Sequence, residues 1–413
     1  MSNDLELPRR AHYASLSLAR SKAKDREVAM RAIAEAIKKQ QNDILEANTL
    51  DLEDSRDHDL QPEIMVDWLK LTPERLQAAL QILERLAELG DPMGRMVGVA
   101  YQLDYAYAYS QRIPLGVIAL IYEAFPELAI IAAGMCLKTA NAIILQASNG
   151  VLNTHRVMGE IVASALENVD ISQDCILFCE ENTPETLEDL VIQDRYINLV
   201  IPYGRPILVQ RVMRNSTAPI LRTAIGNCYL YWSASASLDM ARWMILDSHE
   251  SKPDPVNAVE KVLLDPNQKF SSVVRLWNVL QEKGFEIRGD ANLLKEFPDL
   301  ILVNDGEWGQ PYLNKTIAFK VVESLDDAIA WINHYSSGHA DCLATESYQE
   351  SRKFALEVNS AASFINESSR FYRFPKRGDA VFLGMSNQKG YRRGLISFES
   401  LTTIKYIVQG NRE

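Results

Sequence analysis

The sequence predicts a multidomain α/β protein built on a doubly wound parallel sheet. Three observations carry this reading. Short continuous apolar runs, such as Gly116-Val-Ile-Ala-Leu-Ile-Tyr122, have the pattern of strands buried on both faces of a parallel sheet. Segments of helical period separate those runs. The alternation then restarts after about Gly226, in a chain of 413 residues that is long enough for about two or three domains.

The N-terminal region reads as helices. Met30, Ile33, Ile37 and Ile44 form one apolar stripe. Thr72 is a good N-cap, Pro73 suits the first helical position, and Leu76, Leu80 and Leu83 share a face; Gly90 and Pro92 stop that helix. The period then changes. Tyr105, Tyr107 and Tyr109 alternate with small residues, as in a strand with one aromatic face. After the strand 116–122 come a helix over 126–138, a strand over 142–146 and a helix over 151–167. The strand 175–179, a helix capped by Thr183-Pro184 and the strand 196–202 follow. Four buried strands joined by helices make a doubly wound sheet, which receives ligands beyond the carboxyl ends of its strands. Past Gly226, 259–264 and 317–322 read as strands, and 326–335 and 349–358 as helices. The last strand, 400–408, pairs either with the tyrosine strand or with a partner chain.

Composition narrows the function classes. The net charge of −12 favours solubility and argues against a protein built mainly to bind nucleic acid. The start of the chain has no apolar secretory segment, and no apolar run is long enough to span a membrane. A cytoplasmic location without membrane contact is expected. The five cysteines, Cys136, Cys175, Cys179, Cys228 and Cys342, fit reduced thiols better than a disulfide framework. Cys175 and Cys179 have the spacing of half a metal site but read as buried strand cysteines, and no metal is expected. His334 and His339 read as loop residues.

The run from Ile113 to Ala124, continuing from Cys136 to Leu145, resembles γ-glutamyl phosphate reductase, a branch of the aldehyde dehydrogenase superfamily. Tyr196 to Pro202, Ser216-Thr217 with Pro219, Gly226 with Cys228, Leu325 to Ala330, Asn366 with Arg370-Phe371, Gln388-Lys389 and Leu401 to Thr403 extend the likeness. It runs from about residue 10 to 408. It implies a Rossmann-type cofactor domain (1–100 and 113–226), a catalytic-type domain (227–390) and an oligomerisation arm (101–112 and 391–413), hence a homo-oligomer, dimer or tetramer. It also implies reduction of γ-glutamyl phosphate to glutamate semialdehyde with NADPH. In that reaction a cysteine thiolate expels phosphate, and hydride reduces the resulting thioester.

In the family the nucleophile lies in a run close to Arg-Pro-Ser-Thr-Cys-Asn-Thr-Val-Glu. The matching run here is Lys252-Pro-Asp-Pro-Val256-Asn257-Ala-Val259-Glu260, so Val256 stands in the cysteine's place beside Asn257. The family's Tyr-Glu-Ala-Arg-Pro-Asn reads Tyr122-Glu123-Ala124-Phe125-Pro126-Glu127, which replaces a cation suited to an anionic substrate by Phe125. The superfamily's carboxylate for the nicotinamide ribose falls at Pro311. The glycine-rich Pro-Arg-Gly-Gly-Ala-Gly-Leu reads Pro202-Tyr203-Gly204-Arg205-Pro206-Ile207-Leu208, with Pro206 and Ile207 crowding a pyrophosphate's approach. Lys138, Thr139, Ser148, Gly204 and Arg205 remain as candidates for NADP contacts. The expectation is a family member without catalysis, with a binding, assembly or regulatory role and room for a protein partner. The alternative is the NADPH-dependent reductase of proline biosynthesis. The basic cluster of Arg370, Arg373, Lys376, Arg377, Lys389, Arg392 and Arg393 reads as a solvated face, with an acidic partner, a nucleotide or a nucleic acid as the sharper reading.

Overall fold

A computed structural model describes residues 6–57, 63–96, 101–103, 106–179, 184–223, 226–250, 256–375 and 380–410. Its contacts divide the chain into two compact units. The first comprises Met1–Thr223, Arg373–Gly384 and Leu395–Glu413, and the second Ala224–Tyr372 and Met385–Gly394. Of the expected arm, residues 101–112 and 395–413 fall in the first unit and 391–394 in the second.

In the first unit, helices α1 (Glu6–Leu18), α2 (Ala23–Lys39), α3 (Gln41–Asp57), α4 (Glu63–Leu69) and α5 (Pro73–Glu88) precede the sheets. The stripe read as one helix face is shared by two helices: Met30, Ile33 and Ile37 are buried from α2 and Ile44 from α3, with the break at Gln40. The Thr72 hydroxyl accepts the Arg75 N–H at 3.3 Å, so α5 begins as its sequence predicts. Strands β1 (Tyr101–Leu103) and β2 (Ala106–Pro114) follow. Tyr105 and the Thr183 cap lie outside the described residues. The C-terminal strand Thr402–Gly410 pairs antiparallel with β2 along its whole length, from Thr402 opposite Pro114 to Gly410 opposite Ala106. Of the two expected pairings, that with the chain's own tyrosine strand is present.

The parallel sheet of this unit then forms: β3 (Val117–Tyr122), α6 (Leu128–Lys138), β4 (Ala142–Ala147), α7 (Leu152–Leu166), β5 (Ile176–Phe178), α8 (Pro184–Val191), β6 (Leu199–Tyr203) and α9 (Pro206–Asn215). The order is β5-β4-β3-β6, parallel throughout. The chain builds outward from β3 to β5 and then adds β6 on the opposite side of β3. That reversal opens a crevice beyond the carboxyl ends of β3 and β6. Val117, Ala119, Ile121, Ala142, Ile144 and Val200 pack into one core, as continuous apolar strands must.

The second unit holds β7 (Cys228–Trp232), α10 (Leu238–Ser248), β8 (Val259–Leu264), α11 (Phe270–Glu282), β9 (Glu286–Gly289), α12 (Leu293–Glu296), β10 (Ile301–Leu302), β11 (Thr316–Val321), α13 (Leu325–Tyr335), β12 (Ala340–Ala344), α14 (Tyr348–Glu357) and β13 (Ala362–Ile365). Its seven-stranded parallel sheet runs β10-β9-β11-β8-β7-β12-β13. Leu230, Trp232, Val262 and Phe319 bury against one layer of helices, and Tyr229, Tyr231, Leu263 and Leu343 against the other. Of these strands the sequence reading names only β8 and β11. Of the two histidines read as loop residues, His339 is one and His334 is not. His334 lies in α13, and His339, directly before β12, is fully buried. All five cysteines are buried, Cys175 and Cys179 at the two ends of β5. No described helix is long and apolar enough to cross a membrane.

Candidate functional site

In the first unit a cavity of about 240 Å³ lies at the crevice beyond β3, β4 and β6, lined by Leu69, Glu123, Ser148, Asn149, Gly150 and Arg205. Three of the predicted residues meet here. The Ser148 hydroxyl donates to the Glu123 carbonyl at 2.9 Å. Arg205 is the N-cap residue of α9, and its guanidinium donates from Nε to Glu123 Oε1 at 3.1 Å and from Nη2 to Oε2 at 3.2 Å. The Arg205 backbone N–H also donates to that carboxylate. Gly204 makes this approach possible: a Cβ there would stand 2.5 Å from Glu123 Cγ.

Lys138 and Thr139 do not belong to the crevice. They end α6 just before β4 begins, at the amino edge of the sheet. Lys138 Nζ donates to the Leu89 carbonyl and pairs with Glu27 at 3.7 Å. The Thr139 hydroxyl donates to the Met135 carbonyl at 2.8 Å and accepts from Asn141 Nδ2 at 2.8 Å. Both residues are structural, because a helix returning between parallel strands finishes at the edge opposite the ligand crevice.

Phe125 has a left-handed backbone, φ 59°, and its N–H donates to the Trp68 carbonyl at 3.0 Å. Its ring packs 5.2 Å from that of Trp68 and edge-on to Tyr203 at 5.9 Å. A cation does stand nearby, supplied by α5. The Arg75 guanidinium lies 5.9 Å from the Phe125 ring and binds the Glu127 carboxylate at 2.6 and 2.7 Å. Sequence reading missed this pair. Its signal was Glu127 itself, an acid inside an apolar stretch that calls for a cation.

In the second unit Val256 is 3 % exposed. Its carbonyl accepts the His339 Nε2–H at 2.5 Å, and Cys228 Sγ lies 3.9 Å from the same oxygen and 4.0 Å from His339 Nε2. The Asn257 carbonyl accepts the Ser369 hydroxyl at 2.6 Å, and Asn257 Oδ1 is buried without a partner. Residues 252–255 of the compared run lie outside the described residues. Burial pushes the Cys228 thiol well above its ordinary range, so it stays protonated and is a poor nucleophile. The Pro311 segment is met by a carboxylate from β8. Glu260 accepts the N–H groups of Tyr312 and Leu313 at 2.5 and 2.7 Å, and Lys261 Nζ stands 3.5 Å over the Tyr312 ring. The basic cluster is dispersed. Arg370 pairs with Asp247 at 3.2 Å, Arg373 donates to the Tyr203 hydroxyl at 2.9 Å, and Arg393 donates to the Asn359 carbonyl at 2.6 Å. Lys376 and Arg377 lie outside the described residues.

His339 gives a pH prediction. Burial lowers it from 6.5 to about 4, so it is neutral in the fold. Its Nδ1 accepts the Ser337 hydroxyl at 2.7 Å and its Nε2–H serves Val256. The stability it contributes is fully present above the unfolded value of 6.5 and is lost as pH falls through about 4. The loss is about 3 kcal/mol. Asp341 acts in the opposite sense. Burial raises it to about 6, and its contribution fades as pH rises through that value. A His339→Gln variant lacks only the histidine component. Urea unfolding of the two proteins is expected to show their stability gap narrowing by about 3 kcal/mol across the acid window.

No family model matches the chain. γ-Glutamyl phosphate reductase 2 of Synechocystis sp. is 49% identical over 401 residues, which span 97% of this chain and 95% of that protein. The chain belongs to the γ-glutamyl phosphate reductase family. Another family member, from Gloeobacter violaceus, is 36% identical over 405 residues, covering 97% of this chain and 96% of its own length. The crystal structure of the Thermotoga maritima γ-glutamyl phosphate reductase superposes with a TM-score of 0.90 at 29% identity, covering 99% of both chains. A probable aldehyde dehydrogenase from Listeria monocytogenes shares the fold, with a TM-score of 0.75 at 15% identity over 99% of this chain and 97% of its own. The family, and the aldehyde-dehydrogenase-like α/β fold expected for it, are thereby shown.

Proposed function

We propose that this chain keeps the γ-glutamyl phosphate reductase scaffold without its thioester route, and acts through binding, assembly or regulation. Val256 carries the reading. An isopropyl group has no lone pair with which to attack an acyl phosphate, and the neighbouring thiol of Cys228 is buried and protonated. NADP(H), the cofactor that the family resemblance implies, does not fit the α9 end as it stands. The Arg205 N–H is engaged by Glu123, and Pro206 offers no N–H. The exposed alternate residues Ile404, Tyr406 and Val408 of the C-terminal strand support self-association through the antiparallel sheet.

The names of the relatives favour a second reading more than this one. They are γ-glutamyl phosphate reductases along nearly their whole length, which supports the NADPH-dependent reductase of proline biosynthesis, a glutamate-5-semialdehyde dehydrogenase in the reverse direction. One assay separates the two readings: oxidation of glutamate semialdehyde with NADP⁺ and phosphate. The first reading expects a rate about a millionfold below a cysteine-bearing family member assayed alongside. A rate within about tenfold of that enzyme overturns it and establishes the second.

A further inference from the structure

We propose that Arg205 clamps Glu123 onto the amino end of α9, so that an internal carboxylate holds the place a nucleotide's pyrophosphate would take. The inference rests on reading the crevice beyond β3 and β6 as the dinucleotide place. A helix amino terminus binds an anion through unpaired N–H groups and the helix dipole. Here the anion is already present. The Glu123 side chain is 9 % exposed and takes the Arg205 N–H together with two guanidinium contacts. A Cβ at position 204 would stand 2.7 Å from Glu123 Oε1, so glycine there leaves the room this carboxylate needs. Ser148, the remaining hydroxyl lining the cavity, donates to Glu123's own carbonyl.

A pyrophosphate reaching α9 would therefore meet a carboxylate in a place largely shut off from solvent, where like charges repel strongly. Without the guanidinium, Glu123 keeps one main-chain contact and is free to swing aside.

The test is calorimetric titration of the full chain, Arg205→Gly and Glu123→Gln with inorganic pyrophosphate and, separately, with NADPH, folding being checked by circular dichroism. Weak binding to the unaltered chain and a gain of about tenfold or more for pyrophosphate in both variants are expected. A matching gain for NADPH supports the clamp and the dinucleotide reading together. A gain for pyrophosphate alone supports the clamp and overturns the crevice as an NADP(H) place. No gain for either probe overturns the clamp, as does tight NADPH binding by the unaltered chain. Should Glu123→Gln fail to fold, Arg205→Gly decides, since it removes a side chain that is 37 % exposed.

Discussion

A Val256→Cys variant is expected to become covalently acylated by an acyl phosphate, with phosphate released in proportion to the introduced thiol, about a thousandfold or more faster than the unaltered chain reacts. The backbone at this place is already held from separate segments. His339 binds the carbonyl of residue 256 and Ser369 that of residue 257. Cysteine is smaller than valine, so the variant adds no volume to a packed site and costs about 1 kcal/mol of stability. Val256 is buried, so burial raises an introduced thiol as it does that of Cys228, and attack on the acyl carbon with phosphate as leaving group is expected to quicken as pH rises and the thiolate forms. Acylation precedes hydride transfer, so the result does not depend on whether NADP(H) binds. Mass spectrometry reads the acyl adduct and a phosphate assay the release. A folded variant that gains no adduct places the loss deeper than one side chain.

Removing the carboxylate of Glu127 is expected to have the largest effect on stability. Arg75 and Glu127 are 13 % and 9 % exposed, and the guanidinium also donates to the Asp67 carbonyl at 3.1 Å. Glu127→Ala leaves that cation nearly buried without its anion, which costs about 3–5 kcal/mol. This is a large share of a total stability of about 5–15 kcal/mol. Replacing both partners by methionine removes the uncompensated charge with the pair. The double variant is therefore expected to unfold at a higher urea concentration than Glu127→Ala alone. A double variant no more stable than the single one would show that the loss comes from packing around Phe125 and not from the charge.

How far the sequence discloses this molecule depends on the kind of signal. Strands β3 to β6 are legible because each is a continuous apolar run set off by helices. Most strands of the second sheet are not. β9 and β10 are short, and β12 carries Asp341, whose buried carboxylate is satisfied by the Tyr229 N–H and by serine hydroxyls. A polar residue so partnered breaks the apolar pattern without breaking the strand. Ser148, Gly204 and Arg205, named by the family comparison, follow the carboxyl ends of β4 and β6 and so lie at the crevice. Lys138 and Thr139 were misplaced by their chemistry, although their position just before β4 puts them at the opposite edge.

The sequence alone supplies, through the family resemblance, the reading that puts Val256 in the nucleophile's place, since register along a chain needs no third dimension. It also determined the parallel sheet of the first unit, because burial on both faces demands apolar runs. Only the tertiary structure decided which polar groups are still free to act. Arg205 looks like a phosphate ligand until Glu123, 82 positions away, is seen to occupy it. His339 is a loop residue as its sequence suggests, but only the fold buries it and sets it to hold Val256 across 83 positions. Charge and hydrogen-bonding capacity are properties of a residue, but whether they are already satisfied depends on neighbours that only folding supplies.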